Sequence, residues 1–171
     1  MLDKLDERVQ QIVDLDIRDF TSKVVHGIPV AAWKLPSGKY HHYIDERGIW
    51  GVAIHSLRVD SVSTILADCY NLPQTSKDLL RSAALLHDIG KHGEKCELVY
   101  IPKDHPYLVR KMIKALHLTS TYLPEILKIV EAHMGKWSII PVDIESNKLI
   151  AMLHLADCLE ARWPEEVVKE K

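Results

Sequence analysis

Apolar residues recur at helical spacing over most of the chain. Leu2, Leu5, Val9, Ile12, Val13 and Ile17 predict an amphipathic N-terminal helix within residues 1–23. Gly48 to Cys69 reads as a long helix with an apolar stripe of Val52, Leu57, Val62, Ile65 and Leu66, ended by Asn71-Leu72-Pro73. The next helix starts at a Thr75 or Ser76 cap, runs through Leu85-Leu86 into His87 and stops at Gly90. Asp104-His105-Pro106 opens another, with Asp104 as cap and Pro106 in the first turn, which continues through Val109, Met112, Ile113 and Leu116. Leu123 to His133 is entered through Pro124 and closed by Gly135. The last helix spans about Glu145 to Arg162, with Pro164 just beyond it.

One stretch breaks this period. Residues 24–47 hold Gly27, Pro29, Pro36 and Gly38, and Pro36-Ser37-Gly38-Lys39 is a turn signal. Val30-Ala31-Ala32-Trp33 and Lys39-Tyr40-His41-His42-Tyr43, on either side, are expected to form short strands of a hairpin or an extended lid. The expected organisation is a single all-α domain with a short extended or β-hairpin insertion. Residues 1–23 form the first helix, 24–47 the lid, 48–163 the helical core and 164–171 a charged, frayed tail.

Composition narrows the class. At 171 residues and 47% hydrophobic, the chain suits one domain with a sizeable core, and no apolar run is long enough to span a bilayer. Met1 to Arg8 is charged and lacks the apolar stretch of a signal peptide. Cys69, Cys96 and Cys158 are far apart and form no CxxC, which reads as reduced thiols; a cytoplasmic protein without a membrane partner is expected. A net charge of −2 lacks the basic bias of a stand-alone duplex binder and suits a small nucleotide or short single-stranded nucleic acid.

The candidate chemistry centres on the adjacent pair His87-Asp88. His55, His105, His133 and Asp157 each fall on, or at the end of, a different predicted helix, and helices that each offer one inward donor can converge on one site in a bundle. Any single histidine among ten is more often a core or surface residue. Asp157 is less ordinary, because a charge inside Leu153-His154-Leu155-Ala156-Asp157-Cys158-Leu159 is costly unless paired or metal-bound. His154, one turn earlier, is either a partner behind the donors or an exposed residue. Imidazole and carboxylate donors suit Mn, Fe, Ni, Co or Zn better than Ca. Six donors exceed the needs of one ion. Two ions bridged by one carboxylate would use them all, with Asp88 the natural bridge.

These residues resemble a known family. Gly51-Val52-Ala53-Ile54-His55-Ser56-Leu57-Arg58-Val59, Leu86-His87-Asp88-Ile89-Gly90-Lys91, His105, His133 and Leu155-Ala156-Asp157 are similar to the HD-domain metal-dependent phosphohydrolase superfamily. The order H…HD…H…H…D is that of its two-metal branch. Ser37 to His42, Ala132-His133-Met134-Gly135-Lys136 and Leu153 to Arg162 look like the HD domain of YhaM-type 3′–5′ exoribonucleases; RNase Y and YqeK-type hydrolases are similar at the same motifs. In YhaM-type enzymes an OB-fold precedes the HD domain, and this chain has no room for one. No GYP motif follows the HD pair, so a cyclic-di-GMP hydrolase is not favoured.

The resemblance implies an HD-domain helical bundle with two divalent transition metal ions (Mn, Ni, Co or Fe, with Mg or Zn admitted). It implies a phosphohydrolase or phosphodiesterase acting on a nucleotide, dinucleotide or short single strand, with water activated between the ions for in-line attack. Asp88 and Lys91 would be catalytic. Lys91 reads as a phosphate contact, or else as a solvated lysine at a helix end. Arg58 either binds phosphate or pairs with Asp60 or another acid. Lys39, His41 and His42 meet substrate or lie in a surface loop. Trp137 and Tyr107 stack on a base or belong to the core. Arg162, near Asp157, is a substrate or ion-pair residue. Two other classes share the ligand set: a diiron HD-type oxygenase and a non-catalytic metal- or nucleotide-binding module. Exposed apolar residues on the first helix would suit a homodimer.

Overall fold

A computed structural model describes residues 1–38, 42–97, 103–138 and 142–161. Among these the chain forms helices α1 (Leu2–Val9), α2 (Leu15–Gly27), α3 (Val30–Lys34), α4 (Gly51–Cys69), α5 (Gln74–Leu86), α6 (His105–Ala115), α7 (Leu123–Ala132) and α8 (Lys148–Ala161). Short 3-10 turns cover Ile44–Arg47, Gly135–Trp137 and Ile144–Ser146, and there is no strand among the described residues. None of the described helices is long and apolar enough to cross a membrane.

The expected first helix is two helices. The Asp14 side chain accepts from the amides of Asp16 and Ile17, so it caps α2 and breaks the chain direction after α1. From α5, the Asp78 carboxylate accepts the amides of Val13 and Asp14 and holds the corner in place. The apolar stripe is unaffected by the break, since Leu5, Val9, Ile12 and Ile17 are all fully buried. That stripe faces this chain's own core, while Val13 and Leu15 stay exposed at the corner.

The expected lid is also corrected. Val30–Lys34 is a helix entered through Pro29, not a strand. Ala32 and Trp33 point into the core, and Trp33 Nε1–H donates to Val25 O at 3.2 Å. Lys39, Tyr40 and His41, the start of the second expected strand, lie outside the described residues.

α5 is the central helix, with Leu80, Ala83, Ala84, Leu85 and Leu86 nearly inaccessible. It packs against α4, α7, α2 and α8. Its start has Pro73, not a hydroxyl residue, at the cap position, and Asp104 likewise makes no side-chain cap bond on α6. α5 ends at Leu86, and turns continue from His87 to Cys96 rather than stopping at Gly90. Gly90 serves packing instead: a Cβ there would lie 2.6 Å from His105 O.

The start of α4 is equally tight. Trp50 adopts a left-handed backbone (φ 70°), and a Cβ on Gly51 would lie 2.0 Å from Glu46 O and 2.5 Å from Ser37 N. Leu35 O accepts Val52 N, and Lys34 O accepts Trp50 N, both at 2.9 Å, so preceding backbone satisfies the first turn of α4.

Candidate metal centre

The helices bring their histidines and acids to one point, buried except at Asp157, whose side chain is 22% exposed. His55 comes from α4, His87 and Asp88 from the end of α5, His105 from the first residue of α6, His133 from the end of α7 and Asp157 from α8. His55 and His87 are fully inaccessible, Asp88 and His133 are 1% exposed, and His105 is 4% exposed. All six sequence-derived donors therefore meet.

Their orientation is set from behind. His87 Nδ1–H donates to Ala84 O at 2.8 Å, and His133 Nδ1–H donates to Val130 O at 2.6 Å. In each ring this leaves the Nε2 lone pair facing the acids. Asp88 divides the cluster. Its Oδ2 lies 3.6 Å from both His55 Nε2 and His87 Nε2, while its Oδ1 lies 3.1 Å from His105 Nε2 and 3.9 Å from His133 Nε2. Asp157 Oδ1 accepts from His55 Nε2 at 3.0 Å and sits 3.8 Å from His87 Nε2.

Donor atoms of His55, His87 and Asp88 lie within 4.8 Å of one another, as do those of Asp88, His105 and His133, and of His87, His133 and Asp157. His87 Nε2 is buried with no hydrogen-bond partner among the described residues, although two carboxylates are near. An orphaned lone pair between acids is the environment of a cation, and imidazole with carboxylate is a donor set for divalent transition metals. The residues present fit such an ion.

The electrostatics agree. Burial alone would raise the Asp88 pKa, but Lys91, His87 and His105 outweigh it and hold Asp88 well below the usual range. Burial is likewise overcome at Asp157, chiefly by His55 and His87, so its pKa is lowered. Burial drives His133 down to about 3, helped by His87 and His105, and lowers His87. At neutral pH these two rings are neutral donors beside ionised acids. His55 differs: Asp157 and Glu46 outweigh burial and raise it to about 9.

Lys91 is not a solvated helix-end residue. It is 8% exposed, and its Nζ donates to Asp88 Oδ2 at 2.5 Å and to Ser37 Oγ at 3.3 Å. The neighbouring His92 Nε2–H donates to Pro36 O at 2.6 Å, so residues 36 and 37 are tied to the turn after α5. Arg58 pairs with Asp45 (2.9 Å) and Glu46 (2.7 Å) and lies over the Tyr43 ring. Asp60, its alternative partner, instead faces Arg81 (3.2 Å) and Arg8 (3.6 Å). His42 is buried and donates from Nδ1 to Glu46 Oε2 at 2.9 Å. His154 Nδ1–H donates to His133 O at 2.6 Å, and its ring lies 5.3 Å from that of Trp137, which is 42% exposed. Tyr107 is half-buried on α6. Lys39, His41 and Arg162 lie outside the described residues.

Glu46 is the residue that sequence reasoning missed. It is fully buried, yet it stands in Asp45-Glu46-Arg47, which looks like any solvated charged turn. No spacing or motif separates it from Asp45; only the fold does.

A family profile described as HD domain matches residues 52–162, more than half of the chain. The matched span holds all six donors and leaves out Ser37, His42 and Glu46. No curated protein and no solved structure gives a significant match. The profile describes the family as a whole and does not choose among its branches, so the YhaM-type likeness gains nothing from it. With its helical fold, its ordered H…HD…H…H…D donors and this match, the chain belongs to the HD-domain superfamily of metal-dependent phosphohydrolases.

Proposed function

We propose that the protein hydrolyses a phosphoester of a nucleotide, a dinucleotide or a short single-stranded nucleic acid, using two divalent metal ions. One observation carries this reading: each carboxylate oxygen of Asp88 faces its own pair of histidines. That arrangement suits a shared ligand between two ions better than a ligand to one. His55, His87 and Asp157 would complete one side, and His105 and His133 the other. Bound there, divalent ions lower the pKa of water and offset the charge of a phosphate.

The chain's own residues then have distinct tasks. His87 and His133 are held by backbone carbonyls, so their donor atoms need no rearrangement to bind. Lys91 Nζ lies beside Asp88, where it can meet a phosphate oxygen as a point charge. Arg58 is engaged by two carboxylates, so the phosphate contact is assigned to Lys91. The near-neutral net charge favours a small substrate over a long duplex. We take the chain as one domain, in which residues 1–47 complete the core and the wall of the site.

The test is a screen of nucleotides, cyclic nucleotides, dinucleoside polyphosphates and short RNA with Mn, Co, Ni or Mg. Metal-dependent release of phosphate or nucleotide is expected in the wild type and background rates in the His87→Ala, Asp88→Ala double variant. Full activity in that variant, or a purified protein that takes up no divalent metal, refutes the reading. Oxygen uptake with a mixed-valent diiron signal would reassign the protein to the oxygenases.

A further inference from the structure

We infer that Glu46 is a positioning residue for His55: its buried carboxylate fixes which ring nitrogen of His55 faces the metal centre. This inference rests on the metal reading above, and it concerns a residue outside the family match.

His55 has two nitrogens in different surroundings. Nε2 faces Asp88 and Asp157 at 3.6 and 3.0 Å. Nδ1 faces Glu46 Oε2 at 3.5 Å and forms no aligned hydrogen bond among the described residues. His87 and His133 each anchor Nδ1–H on a carbonyl of their own helix. His55 Nδ1 makes no such bond among the described residues, and the Glu46 carboxylate lies on that side of its ring. A ring whose one nitrogen binds a metal needs its other N–H oriented by an acceptor, and a carboxylate is a strong one. A contraction of a few tenths of an ångström turns the 3.5 Å approach into that bond.

Glu46 is itself held from several directions. Arg58 grips Oε1 at 2.7 Å, and His42 donates to Oε2 at 2.9 Å. Its backbone oxygen accepts Ser37 N at 2.8 Å, and Ser37 Oγ in turn accepts from Lys91. Burying a carboxylate completely is costly unless each oxygen is satisfied. A turn residue with no task would face solvent, as Asp45, half-exposed, does. The arrangement assigns the segment before α4 a part in the centre. It also gives Arg58 a task other than phosphate binding, namely to hold Glu46 at the back of His55.

The experiment is calorimetric titration of the purified full chain with Mn, at a temperature well below the melting point of every variant. Wild type, Glu46→Gln and the surface control Asp68→Asn are compared. Glu46→Gln is expected to lose about 10- to 100-fold in affinity for the ion that uses His55, with the other ion and the control within threefold of wild type. Equal affinities in a folded Glu46→Gln protein would overturn the inference. So would a third Mn equivalent that disappears in the variant, which would make Glu46 a ligand. Nitrogen-15 spectra of the Zn-loaded wild type decide the matter if the variant does not fold: His55 Nδ1 must carry the proton, and a protonated Nε2 refutes the assignment. Failure of the wild type to bind Mn or Zn at all sinks the metal reading and this inference together; normal binding with an unaffected variant sinks only the inference.

Discussion

Gly90→Ala tests whether packing, apart from any ligand, sets the spacing of the centre. The new Cβ would meet His105 O at 2.6 Å, Leu108 Cβ at 3.1 Å and Val109 N at 3.1 Å. Two of these are backbone atoms of the first turn of α6, so no side chain can swing away to relieve the clash. Reaching an ordinary contact of about 3.4 Å requires a retreat of roughly 0.8 Å. His105 is the first residue of α6, and its Nε2 sits 3.1 Å from Asp88 Oδ1 and 3.3 Å from His133 Nε2. Metal–ligand distances tolerate only about 0.2 Å, so the retreat takes His105 out of bonding range whichever side moves. Overpacking of this kind costs about 1–3 kcal/mol, and for a chain of this size each kcal/mol lowers Tm by about 2–4 °C. The assay pairs a melt in EDTA with an Mn titration. A fall of several degrees and weakened binding of one Mn equivalent are expected. Gly48→Ala is the control, because a Cβ there meets nothing within 4 Å among the described residues. An unchanged Tm, or two Mn equivalents bound with wild-type affinity, would show that the contact at Gly90 does not set the position of His105.

Burial raises the Asp60 pKa to about 6 despite Arg81 and Arg8, against an ordinary value of 3.8. The folded form thus holds the proton more tightly than the unfolded chain. Its stabilising effect is full below pH 4 and fades as pH rises through 6, by up to about 3 kcal/mol. In urea melts the stability of wild type relative to Asp60→Asn should fall between pH 4 and pH 7, and a flat difference refutes the assignment. Leu86→Ala empties a fully buried position just before His87 and should cost about 2–5 kcal/mol in urea melts run in EDTA; a cost under 1 kcal/mol would mean the end of α5 collapses freely. Wild type with Mn at a hundred times its Kd should gain about 2.7 kcal/mol of stability, and Asp88→Asn should show almost none of that gain in a thermal melt. A normal gain in Asp88→Asn would remove Asp88 from its place between the ions.

The long helices and the convergence of the six candidate donors could be read from the chain, because each of α4 to α8 carries apolar residues at helical spacing and at least one of the candidates on it or at its end. The corner after α1 could not. Ile12 and Ile17 keep helical spacing across it, and the break is stabilised by Asp78, far along the sequence on α5. Val30 to Trp33 reads as extended because Pro29 and the following turn residues dominate its neighbourhood; in the fold it is helical with Trp33 buried, a tertiary contact that the local sequence does not announce. For Lys91 the sequence leaves a phosphate contact and a solvated helix-end lysine both open, and only the fold, which sets Ser37 against it, removes the second. Glu46 and Arg58 show the same limit. Which acid an arginine meets, and whether that acid is buried, depends on how the segment before α4 folds back.

The missing side chain at position 51 acts as a ruler. With no Cβ between them, the backbone at Glu46 and Ser37 lies directly on the first turn of α4. Residue 55 is one turn further along the same rigid rod, about 6 Å up its axis. The separation of Glu46 from His55 is thereby set by two main chains in contact, not by the reach of flexible groups. An enzyme designer who transplants the His55 helix into another scaffold must therefore carry the glycine and its docking backbone with it. Copying the histidines and aspartates alone would reproduce the parts of the centre without its gauge.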